Sequence, residues 1–339
     1  MSNQDPTAGK ARIDVQGLDA ALRPRQWHEF VGQERIKKNL RILVDAAKGR
    51  SDPVEHILLG GPAGLGKTTL AHLIAREMDT TVRVTSGPAI ERVGDLAALL
   101  TNLQPREILF IDEVHRLSKL IEEVLYPAME SRVLDIMIGK GPSARTIQLE
   151  LPPFTLIAAT TRIGMLSSPL RSRFGNTFRF EFYTPEELVR ILTRSASVLG
   201  VSMGADAAAT LARSCRATPR VANRLLKRCR DWAQVHGNTA ITSAVVSQTL
   251  ALMEIDAQGL EPMDRRIMSV IIEKFAGGPV GLQALAAASA EEEETIAEVY
   301  EPYLMRLGFI ERTPRGRMVT ERAYAHLGLA AQRPQTLLG

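Results

Sequence analysis

LLGGPAGLGKTT, residues 58–69, runs directly into LAHLIARE, residues 70–77. Gly61, Gly66, Lys67 and Thr68 match the pattern G-x-x-x-x-G-K-[ST], with an apolar strand before it and an apolar helix face after it. Glycines let backbone N–H groups approach phosphate oxygens, and the helix that follows presents its positive end to the same anion. The stretch therefore predicts a nucleotide phosphate cradle rather than a plain glycine-rich turn between a buried strand and a helix.

The side chains of the cradle have separate tasks in such a site. The Lys67 ammonium is expected to reach the β- and γ-phosphates, and the Thr68 hydroxyl is expected to bind Mg²⁺. A second stretch, EILFIDEVHRL at residues 107–117, is an apolar strand that ends in Asp112 and Glu113. We expect Asp112 to hold Mg²⁺ and Glu113 to orient and polarise the attacking water. The alternative is an acidic turn after a buried strand.

Length and composition limit the classes of protein that fit. A chain of 339 residues is too long for one ordinary core, so two or three domains are expected. There is no apolar run of membrane-spanning length and no apolar leader, so we expect a cytoplasmic protein without membrane contact. Cys215 and Cys229 lack CxxC spacing, which favours buried free thiols. Because the net charge is only +4, any nucleic-acid contact must come from local patches.

Strand and helix signals alternate from residue 55 to residue 111, which predicts an α/β fold with a parallel sheet flanked by helices. Residues 1–18 are polar and aperiodic. The helix that begins at Glu34 is expected to stop at Gly49. Residues 133–149 read as a β-hairpin, and its apolar residues need either a partner or packing on their own domain. The first domain is expected to end near residue 182.

Later stretches supply polar residues near the cradle. A strand over residues 154–159 is followed by Thr160 and Thr161, where a hydroxyl can sense the γ-phosphate. Arg171 and Arg173 follow in a short loop, where arginines are most often surface charges. Thr218 and Pro219 begin a helix whose first turn contains Arg220, and a cation there opposes the helix dipole unless it binds an anion.

The C-terminal part, from residue 263, shows three helices and then a two-stranded hairpin, the order of a winged-helix domain. The hairpin contains Arg312, Arg315 and Arg317, which are placed to reach DNA phosphates; the alternative is a solvated wing. The acidic run Glu291–Glu294 would repel DNA if that helix entered the major groove. Contact is therefore expected through the wing and to the backbone rather than to the bases.

Taken together, these motifs resemble the RuvB family, the bacterial Holliday-junction branch-migration motors among the AAA+ ATPases. The resemblance runs from about Leu22 to Gly328. Its most specific stretches are LRPRQWHEFVGQ, GPAGLGKTTL, ILFIDEVHRL, VLYPAMESRVLDIMIGKGPSARTI, PPFTLIAATTRIGMLSSPLRSRFG, TPRVANRLL and GFIERTPRGRM. It implies a large AAA+ domain at 19–182, an all-α lid at 183–255 and a winged helix at 256–330, between tails at 1–18 and 331–339.

The resemblance also implies ATP and Mg²⁺ as cofactors and assigns roles to residues. Thr161 would be the first sensor, Arg173 the arginine finger of a neighbouring subunit's site and Arg220 the second sensor. Glu130, Ser131 and Arg132 would face a neighbour's nucleotide, and Arg312 and Arg317 would contact DNA phosphates. The nucleotide contacts that it implies are Leu22, Arg23, Gly64, Gly66, Lys67, Thr68, Thr69, Tyr183 and Arg220, with Thr68 and Asp112 on Mg²⁺.

The partners implied by the resemblance are further copies in a hexameric ring, duplex DNA at Holliday junctions, RuvA docked on residues 133–149, and a RuvC-type resolvase. The implied processes are recombination, DNA repair and the SOS response. Two rival functions remain at this point: another AAA+ machine such as a clamp loader, and an ATP-gated DNA-binding regulator. Glu113 argues against the regulator, because a switch that only binds nucleotide has little use for a water-polarising acid.

Overall fold

The computed structural model describes residues 15–138 and 145–330, and the first part is organised around a parallel sheet. Its strands are β1 Ile57–Gly60, β2 Val82–Ser86, β3 Ile108–Asp112, β4 Val133–Ile138, β5 Arg145–Glu150, β6 Thr155–Thr160 and β7 Asn176–Arg179. Five of them form one sheet in the order β2-β3-β6-β1-β7, and each neighbouring pair is parallel. The predicted α/β fold is confirmed.

Helices cover both faces of this sheet. Alternate residues of β1 point to opposite sides, so Ile57 and Leu59 join one hydrophobic cluster while Leu58 joins the other. Strands buried on both faces are typical of parallel sheets. The helices of this part are α1 Val15–Leu22, α2 Glu34–Arg50, α3 Lys67–Glu77, α4 Val93–Thr101, α5 Lys119–Glu130 and α6 Ser168–Ser172.

Two predictions for the N-terminal part were wrong. The polar tail was expected to extend to residue 18, but α1 begins at Val15; residues 1–14 lie outside the described part of the chain. Helix α2 was expected to stop at Gly49, but it continues to Arg50. Ser51 adopts the left-handed conformation, with φ of 60°, and its N–H bonds to carbonyls of the last turn. The helix therefore ends on a left-handed residue two positions after the glycine.

The predicted β-hairpin is present, because β4 and β5 pair antiparallel from Val133 and Glu150 to Ile138 and Arg145. Residues 139–144, between the two strands, lie outside the described residues. At the base of the hairpin Leu134 is buried in the domain core, whereas Ile147 is 44% exposed. The hairpin thus packs on its own domain at one end and leaves apolar surface further along.

The next part is a helical bundle that follows the sheet. Its elements are α7 Pro185–Val198, β8 Ser202–Met203, α8 Ala205–Arg213, α9 Pro219–Val235, β9 Ala240–Ile241 and α10 Ser243–Leu252. Helix α7 begins as predicted, since the Thr184 hydroxyl accepts the N–H of Glu187 while the Glu187 carboxylate accepts the N–H of Thr184. Cys215 and Cys229 are both free and buried, as expected.

The C-terminal part has the predicted winged-helix order. Its elements are α11 Pro262–Phe275, α12 Leu282–Ser289, α13 Glu293–Thr295, a π turn over Ile296–Tyr300, α14 Glu301–Arg306, β10 Ile310–Thr313, β11 Gly316–Val319 and α15 Glu321–His326. The third helix was expected to be continuous over residues 291–306. It is interrupted instead by the π turn, because Pro302 has no N–H for the carbonyl one turn earlier. Among the described helices, none is both long and apolar enough to cross a bilayer.

Candidate functional site

The phosphate loop between β1 and α3 depends on glycine backbone geometry. Gly61, Gly64 and Gly66 have φ of 137°, 82° and 99°, a region that side chains with a Cβ rarely occupy. A Cβ on Gly64 would lie 2.9 Å from the Cβ of Arg220, and the Arg220 N–H donates to the Gly64 carbonyl at 3.3 Å. The loop is therefore packed against the start of α9, and only glycine fits at that contact.

Lys67 is the first residue of α3 and is buried beneath the loop. Its Nζ donates to the carbonyls of Gly61 at 2.6 Å and Pro62 at 2.9 Å. Burial lowers the pKa of Lys67, and the charges of Glu113 and Asp112 oppose that shift. The ammonium is thus held in the loop by backbone oxygens, where the β- and γ-phosphates of a nucleotide lie in cradles of this kind.

Asp112 and Glu113 stand at the carboxyl end of β3, and the structure gives them different environments. Burial, and then the neighbouring Glu113 charge, raises the pKa of Asp112. Burial alone would raise the pKa of Glu113, but hydrogen bonds from His115 and Thr161 and the Lys67 charge bring its pKa below the ordinary value. The fold therefore shifts the pKa values of the two adjacent acids in opposite directions.

Thr161 follows β6, the neighbour of β3, and directly contacts the second acid. Its N–H and its hydroxyl donate to Glu113 Oε2 at 3.2 and 3.1 Å. His115, which received no role from the sequence, approaches the same oxygen through Nδ1 at 3.3 Å. The same nitrogen lies 2.9 Å from the Thr160 hydroxyl. His115 is buried two residues after Glu113, so it contributes to the surroundings of that carboxylate.

One cleft of about 560 Å³ brings together eleven of the residues that the sequence predicted for the nucleotide site, whereas the predicted sensor Thr161 does not line it. A larger groove of about 970 Å³ runs along α2, but no residue of the phosphate loop lines it. The predicted residues that line the smaller cleft are Leu22, Arg23, Gly64, Gly66, Lys67, Thr68, Thr69, Asp112, Glu113, Tyr183 and Arg220.

The junction with the lid closes one side of the cleft. The buried Tyr183 hydroxyl donates to the Leu65 carbonyl of the phosphate loop at 3.2 Å, and the Tyr183 N–H donates to the Ala217 carbonyl. Arg194 of α7 also lines the cleft; it donates to the Leu22 carbonyl at 2.9 Å and pairs with Glu29 at 3.1 Å. Sequence reasoning missed Arg194, because an arginine on an amphipathic helix looks like any solvated charge.

Arg173 and residues 130–132 lie outside this cleft. The Arg173 guanidinium is 4.4 Å from the centre of the Tyr126 ring, and its Nε is 3.2 Å from Glu130 Oε1. Ser131 caps the end of α5, and Arg132 follows with a φ of 57°. The structure thus places Arg173 beside Glu130, outside the cleft that would hold this chain's own phosphates.

The wing arginines are anchored by a single buried acid. Arg312 and Arg317 are paired across β10 and β11, and Arg312 Nη2 lies 2.9 Å and Arg317 Nη2 3.2 Å from Glu301 Oε2. Hydrogen bonding to Glu301 raises the pKa of Arg312. The Arg312 side chain is 53% exposed but that of Arg317 only 15%. Arg312 and the exposed Arg315 therefore face solvent, whereas Arg317 mainly holds the wing.

Comparisons with known proteins agree with this division of the chain. Family models match it in three consecutive parts: "Holliday junction DNA helicase RuvB P-loop domain" at residues 22–180, "RuvB AAA lid domain" at 183–256 and "RuvB C-terminal winged helix domain" at 257–328. The Holliday junction branch migration complex subunit RuvB of Dehalococcoides mccartyi is 57% identical over 325 residues, covering 96% of this chain and 93% of that protein.

Solved structures are similar over nearly the same length. The Thermotoga maritima RuvB Holliday junction branch migration motor is 49% identical, with a TM-score of 0.85, covering 92% of this chain and 100% of the other. A substitution variant of that protein has a TM-score of 0.86 at 49% identity, covering 91% of this chain and 100% of the other. A TM-score of 0.85 over 92% of this chain means that the arrangement of the domains is similar as well as their folds.

Proposed function

Because the chain belongs to the RuvB family, we propose that it is an ATP-driven motor that moves duplex DNA and drives branch migration of Holliday junctions in recombination and repair. One observation carries the proposal: a complete phosphate cradle with Lys67 and Glu113 shares one chain with an arginine-bearing wing. RuvB family models match all three domains in chain order, which favours this function over a clamp loader or a nucleotide-gated regulator. Its DNA substrate places its work in the bacterial cytoplasm.

The chemistry follows from the cleft. Lys67 and the backbone N–H groups at the start of α3 hold the phosphates, while Leu22, Arg23 and Tyr183 contact the base and sugar. Glu113 orients and polarises the attacking water, and it is held in place by the Thr161 N–H and by His115. Thr68 and Asp112 both line the cleft and offer hydroxyl and carboxylate oxygens, the donors that Mg²⁺ prefers. Bound there, Mg²⁺ would neutralise charge on the β- and γ-phosphates.

The site is completed by a neighbouring subunit in a ring, which we propose to be hexameric. Arg173 lies outside its own chain's cleft, beside Glu130, so it is positioned to serve another subunit's γ-phosphate. Ser131 and Arg132 belong to the same facing surface. Arg220 acts as second sensor within its own subunit, and its contact with Gly64 supports this role.

Partners and domain bounds are part of the proposal. RuvA docks on residues 133–149, where the exposed Ile147 supplies apolar surface, and a RuvC-type resolvase acts on the same junction. The AAA+ domain ends at residue 182 and the lid at residue 255. Hydrolysis changes the angle between these two units, and the winged helix passes that rotation to the DNA backbone.

The direct test is ATP-dependent conversion of a synthetic four-way junction into duplex products, with and without RuvA. The wild-type chain should convert the junction only with ATP and Mg²⁺. Lys67→Ala removes the ammonium that holds the phosphates and should convert none, whereas exchange of the exposed Lys38 for alanine should leave conversion unchanged. Binding of the junction without any conversion by the wild-type chain would instead indicate an ATP-gated regulator.

The wing should contact phosphates through exposed charge. Arg312→Ala combined with Arg317→Ala should weaken duplex binding and lower the slope of log K against log salt by about 0.9 for each lost phosphate contact, while the nucleotide cleft, which neither residue lines, is left intact. Arg315→Ala should lower the slope as well, without touching Glu301. Filter binding or fluorescence anisotropy at several salt concentrations measures this. Affinity that is unchanged across salt would remove the wing from DNA binding.

A further inference from the structure

The acidic segment at the start of the third winged-helix helix is used neither by nucleotide nor by DNA in the function proposed above. Its Glu298 reaches the ATPase domain instead. Glu298 Oε2 accepts the Thr161 hydroxyl at 3.2 Å, and Glu298 Oε1 pairs with Arg162 Nε at 2.8 Å. The Glu298 side chain is 17% exposed, so this is a largely buried contact across 137 residues of sequence.

The same groups that hold the catalytic acid also face Glu298. The single proton of the Thr161 hydroxyl is shared between Glu113 Oε2 at 3.1 Å and Glu298 Oε2 at 3.2 Å. His115 lies between the two acids as well, with Nδ1 at 3.3 Å from Glu113 and Nε2 at 3.7 Å from Glu298. Because a hydroxyl has one proton, Thr161 cannot donate to a γ-phosphate while it donates to these carboxylates.

The backbone around Glu298 links it to the lid and to the wing. Glu298 is the middle residue of the π turn, a feature that often marks functional positions. The Val299 carbonyl accepts from Arg216 Nη2 at 3.0 Å, and Arg216 precedes Arg220 by four residues in the lid. Glu301, which anchors Arg312 and Arg317, follows three residues after Glu298. The turn therefore contacts Thr161 directly, contacts the lid through Arg216, and lies three residues before the acid that holds the wing arginines.

Ion pairing rather than a bound cation explains this cluster. One ligand atom each from His115, Glu294 and Glu298 lie within 4.8 Å of one another, as at a metal site. However, Arg162 already lies against Glu298, and Arg116 Nη2 is 4.0 Å from Glu294. Two guanidinium groups provide the positive charge that a cation would otherwise bring, so the cluster is a docking contact between the winged helix and the ATPase domain.

We propose that Glu298 is a positioning residue through which the winged helix withholds the Thr161 hydroxyl from the nucleotide, and that DNA engagement by the wing releases it. The proposal rests on the ATPase function proposed above. DNA phosphates compete with Glu301 for Arg312, which shifts the segment that carries Glu298. By thermodynamic linkage, nucleotide that captures Thr161 must also loosen the winged helix.

Glu298→Gln tests this, because it keeps the shape of the side chain and removes its charge. Without DNA, kcat/KM for ATP should rise by up to about tenfold, because ATP no longer competes with Glu298 for the Thr161 hydroxyl. The ratio of DNA-stimulated to basal rate should fall by the same factor. The matched control is Glu293→Gln, which removes the same charge from an exposed position of the same segment and should behave as wild type.

Amide hydrogen exchange of residues 294–300 gives a second readout that does not depend on turnover. In the wild-type chain, a non-hydrolysable ATP analogue should speed exchange there; in Glu298→Gln, exchange should be fast with or without the analogue. Equal basal rates for wild type and Glu298→Gln, with exchange unaffected by the analogue, would overturn the proposal. Absence of ATPase activity in the wild-type chain would refute the function proposed above. Hydrogen exchange would still test the Glu298 contact in that case, because it does not depend on turnover.

Discussion

Arg173→Ala should abolish steady-state ATP hydrolysis while leaving nucleotide binding intact. Loss of an arginine supplied in trans typically costs about 10³ to 10⁵ in rate, because the transition-state charge on the phosphoryl group loses one of the cations that stabilise it. Binding should survive because Arg173 does not line the cleft of its own chain and rests against Tyr126 and Glu130 instead. Turnover and fluorescent-nucleotide titration of the same preparation separate the two effects.

Subunit mixing shows whether Arg173 acts across an interface. In rings that combine Arg173→Ala with Lys67→Ala, some sites pair an intact phosphate loop with an intact arginine from the neighbour. Mixed rings should therefore recover part of the turnover that each variant lacks. Arg171→Ala is the matched control, since it removes an exposed guanidinium two residues away and should hydrolyse ATP normally. Normal hydrolysis by Arg173→Ala would disprove the trans role.

Asp112→Asn and Glu113→Gln should both stop turnover but move stability in opposite directions. Loss of a general base typically costs about 10² to 10⁴ in rate. The pKa of Asp112 is raised in the fold, so the ionised form destabilises the protein above the folded pKa, and Asp112→Asn should raise Tm at pH 7. The pKa of Glu113 is lowered, so its ionised form stabilises the protein above the unfolded pKa, and Glu113→Gln should lower Tm.

The pH dependence of Tm tests the predictions for Asp112→Asn and Glu113→Gln. The unfolded pKa values are about 3.9 for Asp and about 4.3 for Glu. The rise in Tm caused by Asp112→Asn should shrink as pH falls towards the unfolded pKa of Asp. The fall in Tm caused by Glu113→Gln should disappear as pH falls through the lowered pKa of Glu113. Thermal melts without nucleotide or Mg²⁺ at several pH values measure both; exposed Glu123→Gln should change Tm little. Shifts of the same sign would contradict the opposite environments of the two acids.

Much of the nucleotide site could be predicted because its parts are local in sequence. A strand, a glycine turn and a helix follow one another from Ile57 to Glu77, and each signal supports the next. Because β3 and β6 are parallel neighbours, their carboxyl ends lie at one edge of the sheet, so strand order alone predicts that Glu113 and Thr161 lie close together. For that reason eleven of the predicted residues line one cleft, while Arg173 lies elsewhere.

The residues that sequence reasoning missed act through contacts between distant segments. His115 carries no pattern beyond its position after Asp112 and Glu113, and Arg194 looks like a surface charge on an amphipathic helix. Glu298 was included in a helix whose interruption at Pro302 only the structure shows. A buried partner across 137 residues leaves no periodic signal in the chain, so no reading of spacing could have found it.

The sequence by itself determined the fold class, the cradle at residues 61–68 and the acids that follow β3, because backbone geometry and strand order constrain those positions locally. Only the tertiary structure decided how the charges are used. Glu301 pairs with two arginines that the sequence predicted to contact DNA, and Glu298 accepts the hydroxyl that the sequence predicted to sense ATP. The physical reason is that the energy of a charge depends on its burial and on its partner, and both are set by how the domains pack.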